Sequence, residues 1–502
     1  MRICVLEHPR IPSKERFNDI ANTPLWSCLM GGYAAGALMS QGHAVVYFDA
    51  AGDGLDFDAA KARLAALLPA LLAVNAVYFW EHSTRLLDFI VDIKKTLAST
   101  HITLFGFFPS LAPEQILRGC IAVDSICLGE CENTLKELTA ALQKGKNWRS
   151  VPGLAFFADD RICFAPERRP APNPDRFDFP YRPPNDDIKE TDTASILGSR
   201  GCYNQCAFCP IPVFYNRGAL WRGRTPANIV KEVETLMDLR YRRFYFVDPN
   251  FIGPGRAGKR RTLALMKRLA PLKIRFGMET RPNDLDQKLL AAMTGAGLDS
   301  LLLGIESASP GVLTNLSKHA SADESRRAID LCRRAGIEPE VGFLMHTPDA
   351  NVDDLVYNLT FLEASRLLDR LERTANLLCH RQIVFRGTCG YDRYQRAGRI
   401  LGTDPLGFEA RIAWRDPRAE WVADVMVPVC LDVLRLTGDP QSPLYWKAAN
   451  KDQPIADRVN TRLVDTFRDI LHRAVQATPP PSAASAYWCA RERVLAGLEE
   501  LG

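Results

Sequence analysis

At 502 residues the chain is too long for one compact core, so two or three domains are expected. A hydrophobic fraction of 47% and a charged fraction of 24% are those of an ordinary folded protein and exclude a disordered or fibrous chain. A formal net charge of +4 without any long run of lysine or arginine gives no nucleic-acid footprint, so no nucleic-acid partner is expected. The opening MRICVLEHPR carries a strand pattern rather than the basic, apolar and cleavage regions of a signal peptide. From Arg2 to about Leu142, strand patterns RICVL, AVVYFDA, AVYFW, ITLFGF and SICLGE alternate with helical ones, LWSCLMGGYAAGALMSQG, an Ala/Leu stretch, LLDFIVDIKKTLAS and TLKELTAALQKG. Strands separated by helices of this length imply parallel βαβ units, and so an α/β, doubly wound, Rossmann-like domain over residues 1–150 that binds ligands at the carboxyl ends of its strands. The most apolar run, Leu64 to Trp80, contains Pro69 and Asn75 and is short for a bilayer span; it reads as a buried helix and strand, and no membrane partner is expected.

Proline-rich APERRPAPNPDRFDFPYRPPNDD, residues 165–187, reads as an extended connector within 151–190. Alternation resumes with strands ASILG, RFYFVD, KIRFGME, SLLLGI, EPEVGFLM and QIVF, each but the last followed by a helical pattern. Helix starts are signalled by Thr225 with Pro226, Asp284 with Gln287, and Ser321 with Glu324. Six βα repeats over residues 191–389 suggest an open, partial (β/α)6 relative of the TIM barrel. Beyond Gly390 the pattern turns to amphipathic helices such as RVNTRLVDTFRDILHRAV, interrupted by TPPPS, giving a helical C-terminal cap over residues 390–502. Fourteen cysteines without secretory context indicate a reducing compartment, and the protein is expected to be cytoplasmic.

Three of those cysteines cluster in GSRGCYNQCAFCPIPVFY, where Cys202, Cys206 and Cys209 take the spacing CxxxCxxC. Thiolates favour zinc or iron-sulfur clusters. Structural zinc wants four ligands, yet the neighbouring cysteines are Cys163 and Cys332, and no histidine lies between His101 and His319. An electron-transfer ferredoxin is disfavoured by the same missing ligand. Three close thiolates leaving the first barrel strand can hold three irons of a cubane and leave the fourth open, and an incomplete ligand shell is the mark of chemistry. GPGRAGK, residues 253–259, fits GxGxxG and GxxxxGK, but Arg260 stands where a phosphate loop needs Ser or Thr; a solvated basic loop is the reading.

With this loop the chain resembles the radical S-adenosylmethionine (SAM) enzymes, in particular those with an N-terminal cobalamin-binding domain, the class B radical SAM methylase type. That resemblance implies a 4Fe-4S cluster on Cys202, Cys206 and Cys209, SAM chelated through its methionine moiety at the open iron, and one-electron cleavage to a 5'-deoxyadenosyl radical. It places Phe208 beside the adenine. It extends through YFVDPNF, with Asp248 and Asn250, and METRPNDLDQKLLAAMTGAGLDSLLLGIESASPGVLTNLSK, with Arg281, Glu306, Ser307 and Lys318, as residues that contact SAM or order its site. A lone strand-end acid is commonly a cap or an ion pair; the order of the segments carries the match.

In the first domain, GGYAAGALMSQGHAVVYFDA, GFFPSLAPEQIL, ICLGECENTLKEL and VPGLAFFADDRICFAPERRPAP follow the same subgroup. The resemblance implies cobalamin between the domains, its lower face over the strand ends near Trp80 and Gly106 to Ser110, Phe107 among them, with Gly129 as a further cofactor-binding candidate. Three departures stand out: no DxHxxG motif, His8 lying in LEHPR, so that cobalamin is expected base-off; Gly129-Glu130-Cys131-Glu132 where the family has GEGE, and Phe107 for a frequent glycine; and bulky Trp80, Glu81 and His82 at a strand end. The implied activity is C-methylation at an unactivated carbon of a small-molecule or peptide substrate, in a biosynthetic pathway, with an electron donor such as flavodoxin or ferredoxin. The alternatives are cobalamin-free dehydration, epimerisation or decarboxylation, and RNA methylthiotransfer. The last is disfavoured because Cys4, Cys28 and Cys120 lack the context of a second cysteine triad and the tail is helical rather than β-rich. His346, His380, Arg381 and Arg386 are candidate substrate contacts at the barrel mouth and cap; no catalytic side chain is assigned.

Overall fold

A computed structural model describes residues 1–11, 29–185, 187–215, 220–445, 453–476 and 482–496. Cys28, the first residues of the helical pattern at 25–42, and most of TPPPS lie outside the described residues. Strands β1 (Arg2–Glu7), β2 (Ala44–Asp49), β3 (Leu71–Asn75), β4 (His101–Phe105), β5 (Ser125–Cys127), β6 (Leu154–Ala158) and β7 (Arg161–Phe164) form one sheet in the order β2-β1-β3-β4-β5-β6-β7. The first five strands in that order are parallel, and β6 and β7 add an antiparallel hairpin at the edge. Because β3 and β4 are buried over their whole length, they read as continuous apolar runs, as parallel strands covered on both faces do. Two boundaries differ from the sequence expectation. The hairpin falls in residues assigned to the connector, and β3 is LLAVN rather than AVYFW. Trp80 to His82 therefore form a short 3-10 turn beyond the strand, with Trp80 buried at φ +44°.

β8 (Thr193–Ile196) is followed by a two-residue ladder of β9 (Ser199–Arg200) and β10 (Arg222–Gly223) that brackets the cysteine loop. β11 (Arg243–Phe246), β12 (Arg275–Thr280), β13 (Leu298–Glu306) and β14 (Glu340–Phe343) join β8 in a parallel sheet ordered β14-β13-β12-β11-β8. Sequential neighbours with helical crossovers are barrel connectivity. The expected sixth strand does not join it. The chain there makes a single parallel bridge, His346 with Arg381, and then β15 (Val384–Phe385) pairs with β17 (Glu409–Ile412), which also pairs β16 (Ile400–Thr403). Stacking of Phe385 on Phe408, with ring centroids 4.7 Å apart and both side chains buried, accounts for the diversion. The C-terminal part is thus not wholly helical, although Pro417–Gly438, Gln453–Gln476 and Ala483–Leu495 are helices packed on the barrel core.

Helix starts follow the sequence at Thr225 and at the Ser321/Glu324 capping box. The helix Gln287–Gly295 is capped by Asp286, leaving Asp284 free for other work. In GPGRAGK the helix starts at Gly255, Lys259 pairs with Asp286 at 2.7 Å, and a Cβ on Gly253 would sit 2.3 Å from Trp221. Gly253 and Gly258 serve packing.

Candidate functional site

The cysteine loop leaves β9 at the carboxyl ends of the parallel strands, where such sheets collect ligands. Cys206 is buried, and Cys202 and Cys209 are half-buried. Burial raises the Cys202 thiol, as does the neighbouring Cys206, while Arg281 and Lys318 pull it down. Cys209 is raised well above the usual thiol range by burial and then by Cys206 and Cys202. The three sulfurs thus share one field with two cations facing them. Among the described residues no three His, Cys, Asp or Glu side chains are set to hold a single metal ion. A cubane differs, because each thiolate binds its own iron at a separate corner. Three clustered thiols, with cations at hand to favour the thiolate, therefore fit the cubane.

Asn204, inside the motif, organises the loop. Its amide donates to Cys206 Sγ at 2.9 Å and to the carbonyls of Ser317 and Lys318 at 3.2 Å, and its backbone N–H points at Cys202 Sγ at 3.5 Å. Ala207 N donates to Leu316 O at 2.8 Å. Arg281 donates to the carbonyls of Lys318 and His319 and lies over the Tyr203 ring at 5.4 Å. Lys318, buried, donates to Glu306 Oε1 at 2.9 Å, and Glu306 ends β13 with φ +68°. Arg281, Glu306 and Lys318 therefore converge with the cysteines.

Asp248 and Asn250 sit behind the loop as braces. Asp248, fully buried, accepts from Gly198 N at 2.8 Å and Ser199 Oγ at 2.5 Å; burial pushes its carboxyl up to about 6 against those bonds. Asn250 donates to Asp284 and accepts from Gly253 N, and Asp284 in turn accepts from Tyr203 OH at 2.7 Å. Ser307 spends its hydroxyl on Asn358 at 2.9 Å, away from the cysteines. Phe208 packs partly buried against the barrel core. Sequence reasoning missed Glu279 on β12. Burial, then Asp248 and Glu306, push its carboxyl up to about 7, and its Oε1 is buried without a hydrogen-bond partner. Asn204 stood legible inside CxxxCxxC. Glu279 was signalled only by being an acid in a strand.

The five first-domain candidates do not share one surface. Ser110 and Gly129 line a cavity of about 460 Å³, together with Val213, Phe214, Arg386 and Tyr391. Trp80 lines a separate cleft of about 1060 Å³ with His380 and Arg381. Gly106 and Phe107 line neither of these cavities: Gly106, at φ +116°, is pressed against Asn75, and Phe107 packs on Phe214 with centroids 6.1 Å apart. Ser110 Oγ already bridges Gly106 O and Gly129 N, at 2.6 and 3.0 Å. Ser110 and Gly129 suit one arm of a large cofactor. His8 is buried, its Nδ1 on Pro9 O and its Nε2 accepting from Val77 N, and burial lowers it to about 3. It faces no ligand. His346 is a buried core residue on Leu378 O, also lowered by burial to about 3.

Residues 196–362 match the family model for the radical SAM superfamily. Residues 196–362 are therefore similar to the radical SAM domain. An uncharacterised methyltransferase of Pyrococcus horikoshii is 26% identical over 267 residues, covering 52% of this chain and 57% of that protein. An anaerobic magnesium-protoporphyrin IX monomethyl ester cyclase of Rubrivivax gelatinosus is 25% identical over 357 residues, covering 66% and 60%. The chain spans about half of the length of the curated relatives it matches, 46% to 60% for the first three. Among solved structures, the cobalamin-dependent S-adenosylmethionine radical enzyme OxsB with aqua-cobalamin bound matches with TM-score 0.67 at 15% identity, covering 99% of this chain and 84% of OxsB. That likeness is one of fold. No helix among the described residues is long and apolar enough to cross a membrane.

Proposed function

We propose that the chain is a radical SAM C-methyltransferase acting on an unactivated carbon of a small-molecule or peptide substrate in a biosynthetic pathway, with an electron donor such as flavodoxin or ferredoxin. The observation that carries the radical part is the cysteine loop at the carboxyl ends of the parallel strands, ringed by Arg281, Glu306 and Lys318. A 4Fe-4S cluster, when bound to Cys202, Cys206 and Cys209, supplies the electron that splits SAM. The chain's own residues do the rest. Asn204 and Arg281 hold the loop against residues 317–319, Asp248 and Ser199 fix its entry, and the Glu306–Lys318 pair offers a carboxylate and an ammonium to a zwitterionic methionine moiety. Glu279 adds a carboxyl with no protein donor on its buried oxygen, suited to accept from bound ligand.

The methyl-transfer part rests on the methyltransferase relative and on the fold shared with OxsB. In this reading Ser110 and Gly129 would hold an arm of cobalamin, and no step is assigned to its ring. The packing of Phe107 on Phe214 favours a second reading, cobalamin-free dehydration, epimerisation or decarboxylation. Among the described residues methylthiotransfer has no support from a second triad: Cys4 and Cys120 are buried thiols, Cys120 facing Leu87 O. Purification from cells supplied with cobalamin, followed by cobalt analysis and product analysis, separates the two main readings. Cobalt together with both 5'-deoxyadenosine and S-adenosylhomocysteine supports methylation; turnover without cobalt or S-adenosylhomocysteine overturns it in favour of the second.

A further inference from the structure

The GECE segment of the first domain has a use that its place in the sequence does not suggest. Arg200 precedes Cys202 by two residues and pairs across the β9–β10 ladder with Arg222. Both guanidinium groups end on that segment. Arg200 donates to Glu130 Oε1 at 2.8 Å and to Glu132 Oε1 at 2.6 Å, and Arg222 makes a fork to both oxygens of Glu130 at 3.0 Å. Their side chains are 5% to 8% exposed. Arg200 also lies over the rings of Phe177, at 3.9 Å, and Tyr33, at 4.7 Å. Between this box and Cys202 stands Gly201, at φ +79°, where a Cβ would meet Leu220 O at 1.8 Å. Two carboxylates balance two guanidiniums, and forked arginine pairs are directional as well as strong.

We infer that Glu130 and Glu132 are positioning residues for the cluster. Through Arg200 and Arg222 they fix the path of the chain into Cys202, so that the first domain sets the spacing of the three thiolates. This rests on the radical SAM reading of those cysteines. Losing one carboxylate leaves a buried guanidinium partly uncompensated. The loop is then held less firmly, and the excess positive charge beside the cluster favours its reduced, more negative state.

The experiment compares wild type, Glu132→Gln and Glu132→Asp. In the iron-free chain, alkylation of Cys202 by iodoacetamide is followed by mass spectrometry. The expected result is about tenfold faster alkylation in Glu132→Gln, equivalent to about 1.4 kcal/mol of local opening, and a rate near wild type in Glu132→Asp. In the anaerobically reconstituted protein, Glu132→Gln should show a more positive midpoint potential and an altered electron paramagnetic resonance line shape, with Glu132→Asp restoring both. Equal Cys202 alkylation rates in wild type and Glu132→Gln overturn the inference. Failure of the wild type to take up iron overturns the radical SAM reading instead, and the alkylation arm still decides the clamp. Should Glu132→Gln not fold, Arg200→Lys keeps the charge and loses the guanidinium that bridges Glu130 and Glu132; a wild-type Cys202 rate there overturns the proposal, and a faster one supports it.

Discussion

Glu306 and Lys318 show how a single residue can be both structural and functional. Lys318 is buried, with Glu306 as the carboxylate at 2.9 Å, so deleting the acid outright strands a cation and confounds any binding measurement. The isosteric Glu306→Gln keeps an acceptor. It should weaken SAM binding by about 1 to 3 kcal/mol, read by calorimetry on the reconstituted protein, with the iron content unchanged. Unaltered affinity assigns Glu306 to the fold alone. Glu279 makes the pH prediction. Its carboxyl lies near 7 in the folded chain against an ordinary value of 4.5, so between those values the folded state holds a proton that the unfolded state has lost. Stability contributed by this group is therefore full below about 4.5 and declines as pH rises toward 7. The iron-free Glu279→Gln variant should melt higher than wild type at pH 8, by on the order of 2 kcal/mol in stability, and match it near pH 4.5. A constant difference across that range contradicts the assignment.

At the scale of elements, parallel alternation, the cysteine loop on the first barrel strand and the helix caps at Thr225 and Ser321 were all legible, because each depends on residues close in sequence. The sixth barrel strand was not. Its fate depends on Phe385 meeting Phe408, twenty-odd residues on, and β16 and β17 are four residues each, too short to announce a period. Asp284 was misread as a helix cap because Asp286, two residues later, offers the same chemistry. The site followed the same rule. The cysteines and Asn204 share one short motif, whereas the roles of Asp248 and Glu279 appear only when strands are laid side by side. The element that closes the loop yields a direct prediction. Gly201→Ala places a methyl group against Leu220 O in a left-handed conformation. It should cost more than about 1 kcal/mol and lower the iron taken up per chain, measured by colorimetric iron assay. Wild-type loading would show that the loop tolerates another path.

For the whole molecule, the two sheets meet through apolar packing and the arginine–glutamate box. Phe214 and Tyr215, which follow the cysteines, belong to the same buried cluster as the strand ends of the first sheet. That continuity ties the first domain to the cysteine loop whatever else it binds, and it is why the distribution of Trp80, Phe107 and Ser110 over different surroundings could not be seen from their order in the chain. The account stands or falls on the three thiolates. Anaerobic reconstitution with iron and sulfide, reduction, and quantification of 5'-deoxyadenosine from added SAM tests them together in wild type and Cys206→Ala. The expected result is about four irons per chain and 5'-deoxyadenosine from the wild type, with none from Cys206→Ala although its iron-free chain melts like wild type; SAM cleavage retained by Cys206→Ala would contradict the account.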